Sequence, residues 1–151
     1  MKVSKLIRLH GMLVFTVYPE DTLAETARRF AHPTAGRKFS LAVVSDAEDT
    51  VVGVVSLGDI SYALGKHEER AAKMLVRDVM TTNVLTCSID DDIEDVLKTM
   101  AESGIRHMPV VEKGRLAGLL SRRDALEFLY QQTALDVENL SEWLFISDAR
   151  Y

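Results

Sequence analysis

An α+β protein built from two similar units is what this 151-residue chain predicts, and three observations carry that expectation. The pattern Gly-apolar-apolar-Ser-x-x-Asp occurs at Gly53–Asp59 and again at Gly118–Asp124, with Gly, Ser and Asp each recurring 65 residues later. Each copy follows two short apolar runs of strand length and leads into an amphipathic stretch of helical period. A period of that size marks duplicated small domains rather than a solenoid array.

In the first unit, Val14-Phe15-Thr16-Val17 reads as a short strand. Thr22-Leu23-Ala24-Glu25 is a capping box, opening a helix that turns Leu23, Ala27, Phe30 and Ala31 to one face. Phe39–Val44 and Val51–Val55 read as a hairpin with a loose loop at Ser45–Thr50, and Ser56 then starts a second helix. Residues Gly65–Asp78 connect the units, with Glu68, Glu69 and Arg70 on an exposed helical face and Met74, Leu75, Val79 and Met80 on a buried one.

The second unit repeats the order. Val84–Cys87 is the short strand, and Asp92 caps a helix burying Ile93, Val96, Leu97, Met100 and Ala101, with Gly104 where a left-handed cap is wanted. Met108–Val111 and Leu116–Leu120 form a hairpin made tight by Lys113-Gly114. The offset between units falls from 70 to 67 to 65 residues, which places the extra residues of copy one around His32-Pro33-Thr34-Ala35-Gly36 and in its hairpin loop. At the offset of 67, Ala42 stands where copy two has Pro109. The expected boundaries are 1–69 for the first unit with its lead-in, 70–130 for the second, and 131–151 for an amphipathic tail helix carrying Leu135, Val137, Leu140, Trp143, Leu144 and Ile146. Units of about 60 residues are marginal alone, and these strands are apolar on both faces, so the halves are expected to fold against each other.

Composition narrows the function. Hydrophobic residues make up 47 % of the chain, enough for a real core. A net charge of −5 argues against holding nucleic acid or anionic lipid as the main task. Cys87 is the single cysteine and His10, His32, His67 and His107 are scattered, so neither an internal disulfide nor a metal cage is written here. The first residues are too charged for a signal peptide and no stretch approaches a membrane span; the expectation is a cytoplasmic protein.

Ser-x-x-Asp before an apolar helix is, in its plainest reading, a helix cap. The same geometry also suits a nucleotide: helix amides and the Ser hydroxyl donate to phosphate, and the Asp carboxylate accepts from both ribose hydroxyls. An enzyme is the weaker reading. Ser121, His107 and Asp124 have the residue types of a hydrolase triad, but Ser121 lies in no Gly-x-Ser-x-Gly elbow. Cys87 reads as a small packed residue rather than a nucleophile, and Met74, Met80, Met100 and Met108 as core filling. Arg122-Arg123 reads, taken alone, as a solvated first helical turn. No catalytic residue and no catalytic cofactor is expected.

The two motifs, with Arg106-His107-Met108-Pro109-Val110-Val111 ahead of the second and Val76-Arg77-Asp78-Val79-Met80-Thr81 entering the second unit, resemble the cystathionine-β-synthase (CBS) domain pair, or Bateman module, over residues 3 to 130. That resemblance implies two CBS domains packed through their sheets with pseudo-two-fold symmetry. It implies a regulatory role in signal transduction: clefts that take AMP, ADP, ATP, NAD or S-adenosylmethionine, a homodimer, and a regulated partner that this chain leaves unspecified. Carried over position by position, Ser56 and Asp59 serve one nucleotide and Ser121 and Asp124 the other, with Asp on ribose and Ser near phosphate. Thr16-Val17, Thr86-Cys87, Leu41-Ala42-Val43 and Met108-Pro109-Val110 match the segments that meet the base. Arg106, His107, Arg122 and Arg123 flank the second site where the first has Ser40, Leu57 and Gly58, so the second is expected to hold phosphate better, with Arg37 and Lys38 compensating at the first. The competing expectation is a ligand-free structural dimerisation or interaction module whose Ser and Asp only cap helices.

Overall fold

The computed structural model describes residues 1–10, 14–32 and 36–148. Two copies of one α+β unit are present. The first contains β1 (Thr16–Val17), α2 (Leu23–Ala31), β2 (Leu41–Ser45), β3 (Val51–Ser56) and α3 (Leu57–His67). The second contains β4 (Cys87–Ser88), α5 (Ile93–Glu102), β5 (His107–Glu112), β6 (Arg115–Ser121) and α6 (Arg122–Asp148). A helix α1 (Val3–His10) precedes them, and a 3-10 turn (Glu68–Lys73) and the short α4 (Val76–Val79) link them. Each unit holds a three-stranded sheet, β1-β2-β3 or β4-β5-β6, whose first pair is parallel and whose second is an antiparallel hairpin.

Local chemistry accounts for the element ends. Thr22 caps α2 by accepting from the Glu25 amide at 3.2 Å, and Asp92 caps α5 by accepting from the Glu94 amide at 3.0 Å. Gly104 ends α5 at φ +67, and Lys113 and Gly114 both take positive φ, as a two-residue hairpin turn demands. On α2 the buried residues are Leu23, Thr26 and Phe30, whereas Ala31 is exposed; on α5 they are Ile93, Val96 and Met100, with Ala101 exposed. The expected faces otherwise hold, with Ala27 and Leu97 packed against the cores, and on α2 Thr26 turns inward as well, its hydroxyl satisfied by the Thr22 carbonyl at 2.9 Å.

Strand register corrects the repeat alignment. Leu41 pairs with Ser56 as His107 pairs with Ser121, and the Leu57 amide bonds the Ser40 carbonyl as the Arg122 amide bonds that of Arg106. Ser40 therefore corresponds to Arg106, Leu41 to His107 and Val43, rather than Ala42, to Pro109. Hydrogen-bond register, not the run of apolar residues, sets the correspondence. Ala42 and Val44 enter the first core, so the intervening Val43, also fully buried, leaves the opposite face of the sheet.

Each core takes in residues from outside its own sequence copy. Val3 and Leu6 of α1 join Ile93, Met100, Met108, Leu120 and Phe128 in the core of the second unit. The α1 backbone is anchored there too, Val3 and Ser4 donating to the carbonyls of Asp91 and Ile89 at 2.9 and 2.8 Å. Conversely, Ala71 and Val76 lie in the core of the first unit, and the Val76 amide reaches the Asp21 carbonyl at 2.8 Å. The repeat boundary at residue 69 thus separates sequence copies but not cores: the lead-in belongs to the second core, and the linker to the first. Within the linker, Ala71 and Val76 are the fully buried residues, while Met74, Leu75, Val79 and Met80 are half-buried.

The tail is no separate helix, because α6 runs unbroken from Arg122 to Asp148. Residues 149–151, the side chains from Val137 onward, including Trp143, and the Pro33–Ala35 stretch of the extra loop lie outside the described residues. Among the described residues no helix is long and apolar enough to cross a membrane, and no cluster of His, Cys, Asp and Glu is placed to hold a metal.

Candidate site at the two Ser-x-x-Asp helix starts

In both units the hairpin ends by feeding its last residue, Ser56 or Ser121, into a helix cap, so the motif stands at a sheet edge beside the residue paired across the ladder. The two copies then diverge. At the first, Asp59 Oδ2 accepts from the Ser56 amide at 2.7 Å and from Ser56 Oγ at 2.9 Å, while the Asp59 amide donates to Ser56 Oγ at 3.1 Å. This is a closed capping box, the plain reading of the motif.

At the second, the Asp124 amide approaches Ser121 Oγ at 3.5 Å, and the carboxylate is not drawn back onto its own cap. It faces Arg37 instead, Nη2 to Oδ2 at 3.6 Å. Arg37 comes from the first unit, so this site is assembled across the two halves. The structure therefore places Arg37 at the second motif, not the first. Sequence held no local signal for that contact, because the residues are remote along the chain.

His107 completes the second constellation from the strand paired with Ser121. Burial holds its imidazole below the ordinary 6.5, with the neighbouring Arg106 pushing the same way and Asp124 pulling back up. The first copy has Leu41 at this place, so the strand position paired with the cap serine carries an imidazole in the second unit and an aliphatic side chain in the first. At both helix starts the first and third amides are engaged, by Ser40 or Arg106 and by the cap serine. Among the described residues this leaves the amides of Gly58 and Arg123 as the donors pointing out of the first turn.

The remaining expected residues divide by burial. Ser56, Asp59, Ser121, Arg122, Thr16 and Leu41 are half-buried, and Gly58, Arg123 and Thr86 are exposed. Val17, Ala42, Cys87, Met108 and Val110 are core residues, so any ligand contact they make runs through backbone. Pro109 is buried on the other face of its sheet. Burial pushes the Cys87 thiol up to about 12, with Asp91 adding to the effect, so it is a protonated packing group.

Grooves beside the short strands differ in charge. A cavity of about 540 Å³ next to Thr16 is lined by Arg28, Arg29, His32 and Glu25 over Phe15 and Phe39. Its counterpart of about 170 Å³ next to Thr86 is lined by Asp91, Asp92 and Asp95. Arg29 is committed within the first groove, donating to the Thr16 carbonyl at 2.7 Å and lying 4.8 Å over the Phe15 ring.

The CBS domain model matches residues 14–66 and 76–131, one match on each unit. The chain belongs to the CBS domain family. An uncharacterized protein of Methanocaldococcus jannaschii is 32 % identical over 117 residues, which are 77 % of this chain and 36 % of that protein. An uncharacterized 17.7 kDa protein of Acidianus ambivalens is 30 % identical over 122 residues, 80 % of this chain and 70 % of its own length. The CBS pair thus spans about a third of the first relative and most of the second. The crystal structure of a CBS-domain containing protein from Agrobacterium tumefaciens superposes with a TM-score of 0.72 at 29 % identity, covering 84 % of this chain and 98 % of that one. Two more distant CBS structures share the fold. CBSX2, solved with AMP, has a TM-score of 0.69 at 24 % identity, covering 87 % and 98 %. The CBS pair of protein MJ0100, solved with 5′-methylthioadenosine and S-adenosyl-L-methionine, has 0.71 at 20 %, covering 87 % and 98 %.

Proposed function

We propose that this CBS pair is a regulatory module that binds an adenine nucleotide or a related adenosyl ligand, of the AMP, ADP, ATP or NAD class, and passes the resulting shift to a separate partner protein. The observation that carries the reading is Asp124: a half-buried carboxylate at a helix start, free of its own cap and flanked by His107 and Arg37. A carboxylate so placed accepts from the two hydroxyls of a ribose, and the nearby Arg123 amide, His107 and arginines offer donors to a phosphate. The adenosyl ligands of CBSX2 and MJ0100 support the ligand class. We read the protein as a cytoplasmic homodimer, without catalysis. Inosine-5′-monophosphate dehydrogenase of M. jannaschii matches over only 23 % of its length, a fraction consistent with the pair serving there as one module of a larger protein.

The first site favours the second reading, a structural module without ligand, because the Ser56–Asp59 box already uses Asp59 Oδ2 twice. The test is a thermal-shift panel on nucleotide-stripped protein with AMP, ADP, ATP, NAD, NADH, S-adenosylmethionine and guanine nucleotides. A ligand at about 100 times its Kd adds about 2.7 kcal/mol of stability. A selective shift lost in Asp124→Ala is expected; no shift with any compound in folded, ligand-free protein transfers the reading to the structural module.

A further inference from the structure

The carboxylates of Asp59 and Asp124 are both engaged in the folded chain, but by different groups. Asp59 is closed onto its own cap, with Oδ2 accepting from the Ser56 amide and hydroxyl at 2.7 and 2.9 Å. Asp124 meets a cation instead, Arg37 Nη2 at 3.6 Å. That separation exceeds a hydrogen bond and both side chains reach water, so the pair is screened and readily exchanged. Arg37 has no second anchor: among the described residues its guanidinium makes no hydrogen bond and no other ion pair. Arg29 of the same unit is the contrasting case, hydrogen-bonded to the Thr16 carbonyl at 2.7 Å and lying 4.8 Å over the Phe15 ring.

An arginine held only by the carboxylate that receives a ribose makes that carboxylate contested. Ribose hydroxyls donate to the same oxygens, so an incoming nucleoside displaces the guanidinium or shares its acceptor. With a phosphate-free ligand the released arginine returns to water, and the lost pair weakens binding. A phosphate reverses the balance, because a guanidinium matches it bidentately through charge-assisted bonds stronger than the screened pair it leaves. The neighbours bias the site the same way. Arg122 and Arg123 open the helix that carries Asp124, and the Arg106 carbonyl bonds the Arg122 amide, so further cationic residues surround this helix start. A cationic sulfonium ligand meets like charge there.

We propose that Arg37 is an internal competitor at the second site: it holds Asp124 until a ligand arrives and crosses to phosphate when a nucleotide binds, which makes the site selective for 5′-phosphorylated adenosine over phosphate-free or sulfonium adenosyl ligands. The proposal rests on the reading above that Asp124 receives ribose. Calorimetric titration of AMP, adenosine and S-adenosylmethionine into nucleotide-stripped wild type and Arg37→Ala tests it. In the variant AMP is expected to weaken by about tenfold. Adenosine is expected to tighten by about two- to fivefold, the most that a screened pair returns. The opposite signs are the signature: a plain phosphate contact leaves adenosine unchanged, and a merely structural residue weakens both ligands. Adenosine binding no tighter in Arg37→Ala, its absence from both proteins included, overturns the competition and leaves the nucleotide reading standing on AMP. Wild type that prefers S-adenosylmethionine to AMP overturns the selectivity. No binding of any of the three to folded wild type overturns the nucleotide reading and the competition with it. A salt series on wild type supplies a readout free of mutation: added sodium chloride screens the internal pair, so adenosine is expected to tighten while AMP weakens. Adenosine that weakens alongside AMP overturns the competition.

Discussion

Arg37 of the first unit lies 3.6 Å from the Asp124 carboxylate of the second, an ion pair that joins the halves at the site. Both side chains are accessible, 51 % and 36 %, so water screens the pair. Arg37→Ala is therefore expected to change unfolding stability by less than about 1 kcal/mol in urea titration. Its larger effect falls on ligand choice. With the arginine gone, binding of AMP is expected to weaken relative to a phosphate-free adenosyl ligand, measured as a ratio of dissociation constants by calorimetry. An unchanged ratio removes Arg37 from phosphate recognition.

Asp59 and Asp124 are expected to part ways on substitution. Asp59 closes a capping box, so Asp59→Ala costs about 0.5–2 kcal/mol of stability. The Asp124 carboxylate takes no part in its own cap, whose long contact comes from the backbone amide, and its ion pair with Arg37 is screened, so Asp124→Ala leaves stability within about 0.5 kcal/mol while removing ligand-induced stabilisation. Paired melting curves with and without AMP separate the two behaviours.

Gly53 is where the linker crosses the first sheet. A Cβ there meets Met80 Sδ at 2.7 Å and the Thr81 carbonyl at 3.0 Å, and Thr81 pairs with Val54 through hydrogen bonds of 2.9 and 3.0 Å. The methionine can swing away, but the carbonyl is held by its strand partner. Gly53→Ala is expected to lose about 1–3 kcal/mol by thermal unfolding, and Gly53→Ala with Met80→Ala to recover only part of it.

The His107 ring is held neutral by burial, with its pKa below 6.5. Because the folded form resists protonation, its contribution to stability is complete above 6.5 and is lost as pH falls through the lower folded value. Asp124 is the group that pulls the pKa back up, so Asp124→Asn is expected to lower it further. An NMR titration of the ring protons reads this directly, and an unmoved midpoint disproves the coupling.

Cys87 is expected to resist iodoacetamide at pH 8 until the protein unfolds, since its thiol titrates near 12. Its stabilising effect is full below the ordinary value of 9.0 and is lost as pH climbs from there towards 12, because the unfolded thiol ionises first.

Much of this architecture was legible because it is local. The Gly-apolar-apolar-Ser-x-x-Asp repeat, the Thr22 and Asp92 caps, the Gly104 cap and the Lys113-Gly114 turn all arise from residues a few positions apart, where backbone sterics and side-chain hydrogen bonds act directly. The alignment of Pro109 with Ala42 failed by one residue because apolar pattern does not report ladder register, which backbone hydrogen bonds set.

Tertiary structure alone decided which contacts cross the halves. Nothing near Val3 or Leu6 says that α1 enters the core of the second unit, and nothing near Ala71 or Val76 says that the linker completes the first. Two identical Ser-x-x-Asp spellings also became two different sites, a closed box at Asp59 and a carboxylate turned to Arg37 at Asp124. The residue types and their spacing belong to the sequence; which groups were brought within reach of each carboxylate depended on how remote segments packed, and that is a property of the folded chain as a whole.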